Sequence, residues 1–325
     1  MNKHIKSLLA GGAALVLATA PALAQTLAQN YPEKPVRMIV PFPPGSATDM
    51  AARVVAQQLQ GALGQAFVVD NKPGAGGSIA GAEVVRAAPD GYTLLFSSNS
   101  AVASNVALLK SIPYDPMKDF SPVAGIGENM LVLMVKSSFP AKNLAEFVAH
   151  AKARPGKLSA GYGSSTSQVS ISLLNKLAGL DTASIPYKGI PLAVNDVVGG
   201  TTDFTFVDLG NALAQSKGGN LKPIAVTSDK RNPLVPDWPT IQESYPGFDI
   251  RAWFAVVGPA NMPKAVVDKL NAAMVKALAQ PDTKERFATI GIAPMPLSPD
   301  RLHVFMGSEI AKWQRLVKEA NVQPE

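Results

Sequence analysis

The sequence predicts an α/β protein of two lobes, each an open, mostly parallel sheet with flanking helices. Three observations predict it. Short strands rich in branched apolar residues alternate with segments whose apolar residues recur at helical spacing. The joints between them carry glycine, proline and small hydroxyl residues. The chain of 325 residues also exceeds a typical single domain, so the alternation divides naturally into two units.

Residues 1–24 stand apart from this pattern. Lys3 and Lys6 form a short positive segment, 8–20 is an apolar run, and Ala22-Leu23-Ala24 reads as a cleavage site before Gln25. That is the order of parts in a secretory signal peptide. The apolar run is too short to cross a ~30 Å hydrocarbon core comfortably. No second long apolar stretch follows, so the mature chain is expected to be soluble and exported.

The first lobe begins with a strand at 36–42, a Pro-Pro-Gly-Ser turn, and a helix at 49–63 marked by Met50, Val54 and Leu59. A strand at 67–69, a glycine-rich loop at 71–77, a helix at 78–88 and a strand at 92–96 follow. Strand, helix, strand, helix, strand argues parallel pairing with right-handed crossovers. The theme repeats with a strand at 130–135, a helix at 143–152, a strand at 157–162, a hydroxyl-rich loop at 163–167 and a helix at 168–179. Short strands at 204–207 and 224–226 come next, and an apolar strand at 251–257 is placed to return to the first sheet. The tail is helical. Val267, Leu270, Met274 and Leu278 mark one face, and Ser298-Pro299-Asp300 caps a last helix burying Leu302, Phe305, Ile310, Trp313 and Leu316 or Val317. The expected division is a leader at 1–24, one lobe from 25–129 plus 251–325, and a second from 130–250.

Composition narrows function. There is no cysteine, which excludes disulfides and thiol chemistry. The net charge is +6, of which Lys3 and Lys6 belong to the leader, and the remaining basic residues are scattered. A nucleic-acid surface needs them clustered. Of three histidines, His4 lies in the leader, and His150 and His303 fall in predicted helices away from any nucleophile motif. No metal-binding spacing is present, and serine without a nearby base is a poor nucleophile. Catalysis and a resident cofactor are not expected.

Binding chemistry has better material. Phe42-Pro43-Pro44-Gly45-Ser46-Ala47-Thr48-Asp49 joins a strand to a helix, at the carboxyl end of the sheet where open α/β folds bind ligands. Small residues let a ligand approach the free N–H groups of the first helical turn, which suit a carboxylate. The same residues could serve only as a turn, with Thr48 or Asp49 as the helix cap. Gly163-Ser164-Ser165-Thr166-Ser167-Gln168 makes a second such loop in the second lobe, open to the same two readings. Tyr187-Lys188-Gly189 offers a cation, although a lone lysine is most often solvated. Asp208 ends an apolar strand, either to meet a ligand ammonium or water or to cap a helix beginning near Asn211. The loop at 71–78 fails the dinucleotide pattern, because Ile79 stands where its last glycine is required.

Taken jointly, these segments resemble the periplasmic solute receptors of tripartite tricarboxylate transporters, the Bug receptors. The resemblance runs over essentially the whole mature chain. It is carried by Tyr31-Pro32, Val40-Pro41-Phe42-Pro43-Pro44-Gly45 with Asp49 and Ala52-Arg53, and Asn71-Lys72-Pro73-Gly74-Ala75-Gly76-Gly77. Ala88-Pro89-Asp90-Gly91-Tyr92, Tyr114-Asp115-Pro116, Ile185-Pro186-Tyr187-Lys188-Gly189, Ala225-Val226-Thr227-Ser228 and Pro246-Gly247-Phe248 extend it. The resemblance implies a flytrap fold with the C-terminal helices on the first lobe and a small carboxylate clamped in an interlobe cleft. It implies a monomer in the periplasm that delivers its ligand to membrane permease subunits. A sensor subunit that presents its ligand state to a membrane kinase is the alternative. The implied site comprises Phe42, Pro44, Gly45, Ser46, Ala47, Thr48, Asp49, Ser164, Ser165, Thr166, Gln168, Tyr187, Lys188 and Asp208. Two positions depart from the family pattern: Ser46 replaces a second glycine, and Gln168 replaces a frequent histidine. Gln168 keeps a donor but cannot titrate.

Overall fold

The computed structural model describes residues 30–324, so the predicted leader lies outside the described residues. β1 (Val36–Val40) is almost wholly buried, as a strand covered on both faces must be. α1 (Ala47–Leu63) follows. Its cap is Ser46, whose side chain accepts from the Asp49 N–H, and its end is Gly64 at φ 75°. Glycine takes that left-handed position without a side-chain clash. β2 (Phe67–Asn71), α2 (Ser78–Val85) and β3 (Thr93–Ser98) continue the winding. β3 runs into a buried π-helical turn at Ser100–Ser104 and the short α3 (Asn105–Leu108).

The longest strand is β4 (Phe120–Lys136). It leads through α4 (Leu144–Lys152), β5 (Leu158–Tyr162), α5 (Ser165–Ala178), β6 (Thr182–Pro186) and α6 (Ile190–Gly199). β7 (Phe204–Asp208), α7 (Leu209–Lys217) and β8 (Leu221–Val226) complete this region. β9 (Arg251–Pro259), α8 (Lys264–Ala279), α9 (Pro281–Thr289), β10 (Ile292–Leu297) and α10 (Pro299–Glu319) close the chain.

The fold is the two-lobed α/β architecture expected. β1 pairs in parallel with β2 and β3, and β5 with β6 and β7. Between these two parallel arms the strands run antiparallel. β9 returns to pair with β3 and with residues 120–130 of β4, and β10 lies on the other side of that half of β4. Residues 131–136 of β4 pair instead with β7 and β8. One continuous strand therefore serves both sheets. Beside this crossing, Arg251 bonds Glu128 at 3.2 Å and Asp249 at 3.3 Å, and also pairs with Asp229.

Two helices start earlier than their apolar periodicity indicates. α1 begins at Ala47 and α5 at Ser165, so Thr48, Asp49 and 165–167 lie in first helical turns and not in loops. Ser46 and Ser164 cap them, which moves the α1 cap from Thr48 or Asp49. A polar first turn adds nothing to a hydrophobic period, and the cap geometry is set by the backbone. In α10, Phe305 and Ile310 are only partly buried, because the inward stripe is taken by Met306 and Glu309. Glu309 accepts from the indole N–H groups of Trp253 at 2.7 Å and Trp313 at 3.1 Å, which satisfies a buried carboxylate.

Candidate functional site

The carboxyl ends of the parallel strands in both sheets face one another, and the chain's chemistry collects there. β1 delivers Phe42 and the 43–46 turn to the start of α1. Asp49 holds that turn: its carboxylate accepts from the Gly45 N–H at 3.0 Å, from Arg53 at 2.9–3.1 Å and from Asn71 at 2.9 Å. Asn71 also donates to the Phe42 carbonyl at 2.8 Å. Burial works to raise the Asp49 pKa, but these donors outweigh it and the carboxyl sits below its usual value. Asp49 thus shapes the loop from behind.

The inner cavity between the sheets measures about 40 Å3, room for about three waters on the usual requirement of one. Phe42, Ser46, Ala47 and Thr48 form its first wall. Gly163, Ser164, Thr166, Ile190 and Asp208 form the opposite one, and Ser98, Asn129, Leu131, Ala252 and Phe254, on β3, β4 and β9, close the side of the central strands. No lysine or arginine is among the lining residues. Residues at the starts of four helices line the cavity instead: 46–48 of α1, Ser164 and Thr166 of α5, Ile190, the first residue of α6, and Asp208, the cap of α7. Each N-terminus carries roughly half a positive elementary charge. Gathered around one small space, they suit an anion without any cationic side chain.

A second chamber of about 280 Å3 lies beyond Phe42. Ser165, Gln168, Tyr187 and Lys188 line it, together with Phe42 and Ser164, which face both spaces, and Gly76 of the glycine-rich loop. The structure thus divides the residues singled out in sequence. Seven line the inner cavity (Phe42, Ser46, Ala47, Thr48, Ser164, Thr166 and Asp208), and Ser165, Gln168, Tyr187 and Lys188 belong to the outer chamber. Pro44, Gly45 and Asp49 line neither.

Several side chains are already engaged. The Ser165 hydroxyl meets Ser104 Oγ at 2.6 Å and Ser100 Oγ at 2.8 Å, and accepts from Asn99 Nδ2 at 3.4 Å. Thr166 exchanges hydrogen bonds with the same Asn99 amide at 3.2 and 3.3 Å. The Tyr187 hydroxyl donates to Asp196 at 2.5 Å, a bond that pushes its pKa up to about 12. Asp208 is the α7 cap: it accepts from the Asn211 N–H at 3.1 Å and from Asn211 Nδ2 at 2.9 Å. Burial still holds its carboxyl above the ordinary range, with the Asn211 bonds acting against that shift. Asn211 Nδ2 also reaches the Gly45 carbonyl at 3.2 Å, and Gly189 packs on Pro43, so the two walls of the cleft touch.

Sequence reasoning missed the wall on the central strands and the Ser97-Ser98-Asn99-Ser100 run. Its signal was present: four consecutive polar residues at the carboxyl end of an apolar strand, all buried. Among the described residues no cluster suited to a metal ion occurs, and no helix is long and apolar enough to cross a membrane.

The family model described as the tripartite tricarboxylate transporter family receptor matches residues 51–322. The chain belongs to that family. Protein BugT of Bordetella pertussis is 38% identical to it over 315 residues, covering 95% of this chain and 96% of BugT. Among solved structures, R. palustris Rpa4515 with adipate superposes with a TM-score of 0.88 at 32% identity, covering 91% of this chain and all of that one. MatC (Rpa3494) from Rhodopseudomonas palustris with bound malate gives 0.82 at 33%, covering 88% of this chain and all of MatC. The likeness to these receptors extends over the whole two-lobed fold.

Proposed function

We propose that the protein is a periplasmic receptor that closes on a small carboxylate and delivers it to the membrane permease of a tripartite tricarboxylate transporter. The observation that carries this reading is the convergence of four helix N-termini on a cavity lined by no cation. The carboxylate rests on the N–H groups at 46–48 and on the hydroxyls of Thr48, Ser164 and Thr166. Residues 25–129 with 251–325 act as one lobe and 130–250 as the other, turning about the crossing in β4. Adipate and malate in the related structures agree with this ligand class. The protein acts by binding alone, as a monomer, after removal of residues 1–24.

The test is titration calorimetry of refolded, ligand-stripped protein against mono-, di- and tricarboxylates, repeated on Thr48→Val and Thr166→Val. A hydrogen bond to a charged group contributes about 1.5–3 kcal/mol, so each variant should lose about 10–100-fold in affinity with its melting temperature retained. Wild-type affinity in both variants would refute this site. Ligand-dependent co-purification with the permease checks the delivery step.

A further inference from the structure

One buried side chain in the cleft lacks any partner. Asn129 lies on β4, opposite Ala252 of β9 and Ile292 of β10. Side chains alternate along a strand, so Asn129 shares a face with Leu131, and Ala252 with Phe254. All four line the inner cavity. Asn129 is 3% exposed, yet neither its Nδ2 nor its Oδ1 makes a hydrogen bond. The other buried unpartnered hydroxyls among the described residues, those of Ser167, Ser170, Thr202, Thr205 and Thr283, lie outside the cavity lining. Strand pairing does not require an amide here, since a valine would hold the same backbone bonds without a stranded polar group. Buried polar groups are almost always satisfied, and one that is not calls for an explanation.

We propose that Asn129 is a specificity-determining residue, and that it meets a neutral group on the bound carboxylate that both donates and accepts, a hydroxyl or a carboxamide. This rests on the carboxylate reading above and refines it. An asparagine amide offers two N–H donors and a carbonyl acceptor. A second carboxylate only accepts, and would leave Oδ1 unpaired. An ammonium only donates, and would leave Nδ2 unpaired. A hydroxyl or a carboxamide serves both atoms. Charge argues the same way: the cavity already holds the Asp208 carboxyl and no cation, so a second anionic group beside the wall on the central strands is disfavoured. The inner space of about 40 Å3 accommodates a compact head group of this kind.

The experiment is calorimetry of ligand-stripped wild type and Asn129→Leu against matched acids: lactate with propionate, malate with succinate, and succinamate with succinate. The expected result is at least tenfold tighter wild-type binding of the hydroxy or amide member in one pair, with the ratio falling to near one in the variant. The malate and succinamate arms separate hydroxyl from carboxamide. Asn129→Val, suited to a strand, replaces the leucine variant should that fail to fold. Equal wild-type affinity within every pair that binds overturns the proposal, since a trapped water would then suffice for Asn129. A preference that survives in the folded variant overturns it equally. If none of the five acids binds, the wider carboxylate panel decides: an acid that binds wild type and Asn129→Leu equally overturns this inference alone, and no binding by any acid overturns the carboxylate reading and this inference with it.

Discussion

Replacing Ser165 by alanine should weaken ligand binding about 5–30-fold without unfolding the protein. Ser165 is 4% exposed, and its hydroxyl joins α5 of one lobe to the β3 end of the other through Asn99, Ser100 and Ser104. A hydroxyl has one donor and two acceptor sites, so three partners saturate it. Its removal does not strand all three. Ser100 keeps the Ser98 hydroxyl at 3.3 Å, Ser104 keeps the Asn99 carbonyl at 3.4 Å, and Asn99 keeps Thr166 at 3.2 Å. The loss therefore falls in the lower part of the usual penalty for buried polar groups, about 1–2 kcal/mol. If these bonds form only when the lobes meet, that energy is taken from the closed state alone, and 1.4 kcal/mol is a tenfold change in affinity. Calorimetry gives the affinity, and a thermal melt of the ligand-free protein gives the stability. A lower melting temperature with unchanged affinity would refute the reasoning, because it would make the cluster a fixed part of the core.

Gly189→Ala should impair closure sterically. The residue is extended at φ 178°, so alanine brings no backbone strain, but its Cβ would lie 2.5 Å from the Pro43 ring. Affinity should fall at least tenfold while the ligand-free melt is unchanged, and wild-type affinity would show that the walls need not touch. Asp208→Asn tests a buried charge. A carboxyl raised by burial contributes stability that is complete below the ordinary carboxylate pKa and is lost as pH rises through the raised value. Asparagine keeps a cap acceptor for the Asn211 N–H, so the variant should melt with wild type near pH 4 and increasingly above it towards pH 7. Parallel melting curves across that range would contradict the shift.

The parts of this protein that were legible in the sequence are those written as a local period. β1, β5 and the α8 face of Val267, Leu270, Met274 and Leu278 each bury their own apolar pattern, and the proline- and glycine-bearing joints mark the strand ends. The first turns of α1 and α5 were less legible, because Ser46 and Ser164 cap helices whose opening residues are polar. The loops were found, but which of their residues line the inner cavity was not. Asp49 turns inward to hold Gly45 and Asn71, and Tyr187 spends its hydroxyl on Asp196. Asn99 and Asn129 were missed for another reason. Their surroundings are built from strands and helices distant in sequence: the polar run at 97–100 and the Glu128-Asn129 pair stand in the sequence, but no local period says which of these side chains the fold buries.

On the proposed reading the cavity takes a carboxylate without owning a positive side chain, and closure then carries most of the binding. A helix N-terminus contributes only about 0.3–1 kcal/mol to a nearby anion, and up to about 2 when partly buried. No single terminus could hold a small acid against water. α1 belongs to the sheet of β1, whereas α5, α6 and α7 belong to the sheet of β5. An anion lodged on either wall gains the opposite set only when the cleft shuts, and shutting also removes the water that screens each dipole. On that reading, binding energy would drive the change of shape. A lysine in the same place would hold the anion in the open form as well, and would weaken that coupling. Lys188, the one cation singled out for the site, lines the outer chamber beyond Phe42, where it leaves the inner cavity to the helix termini.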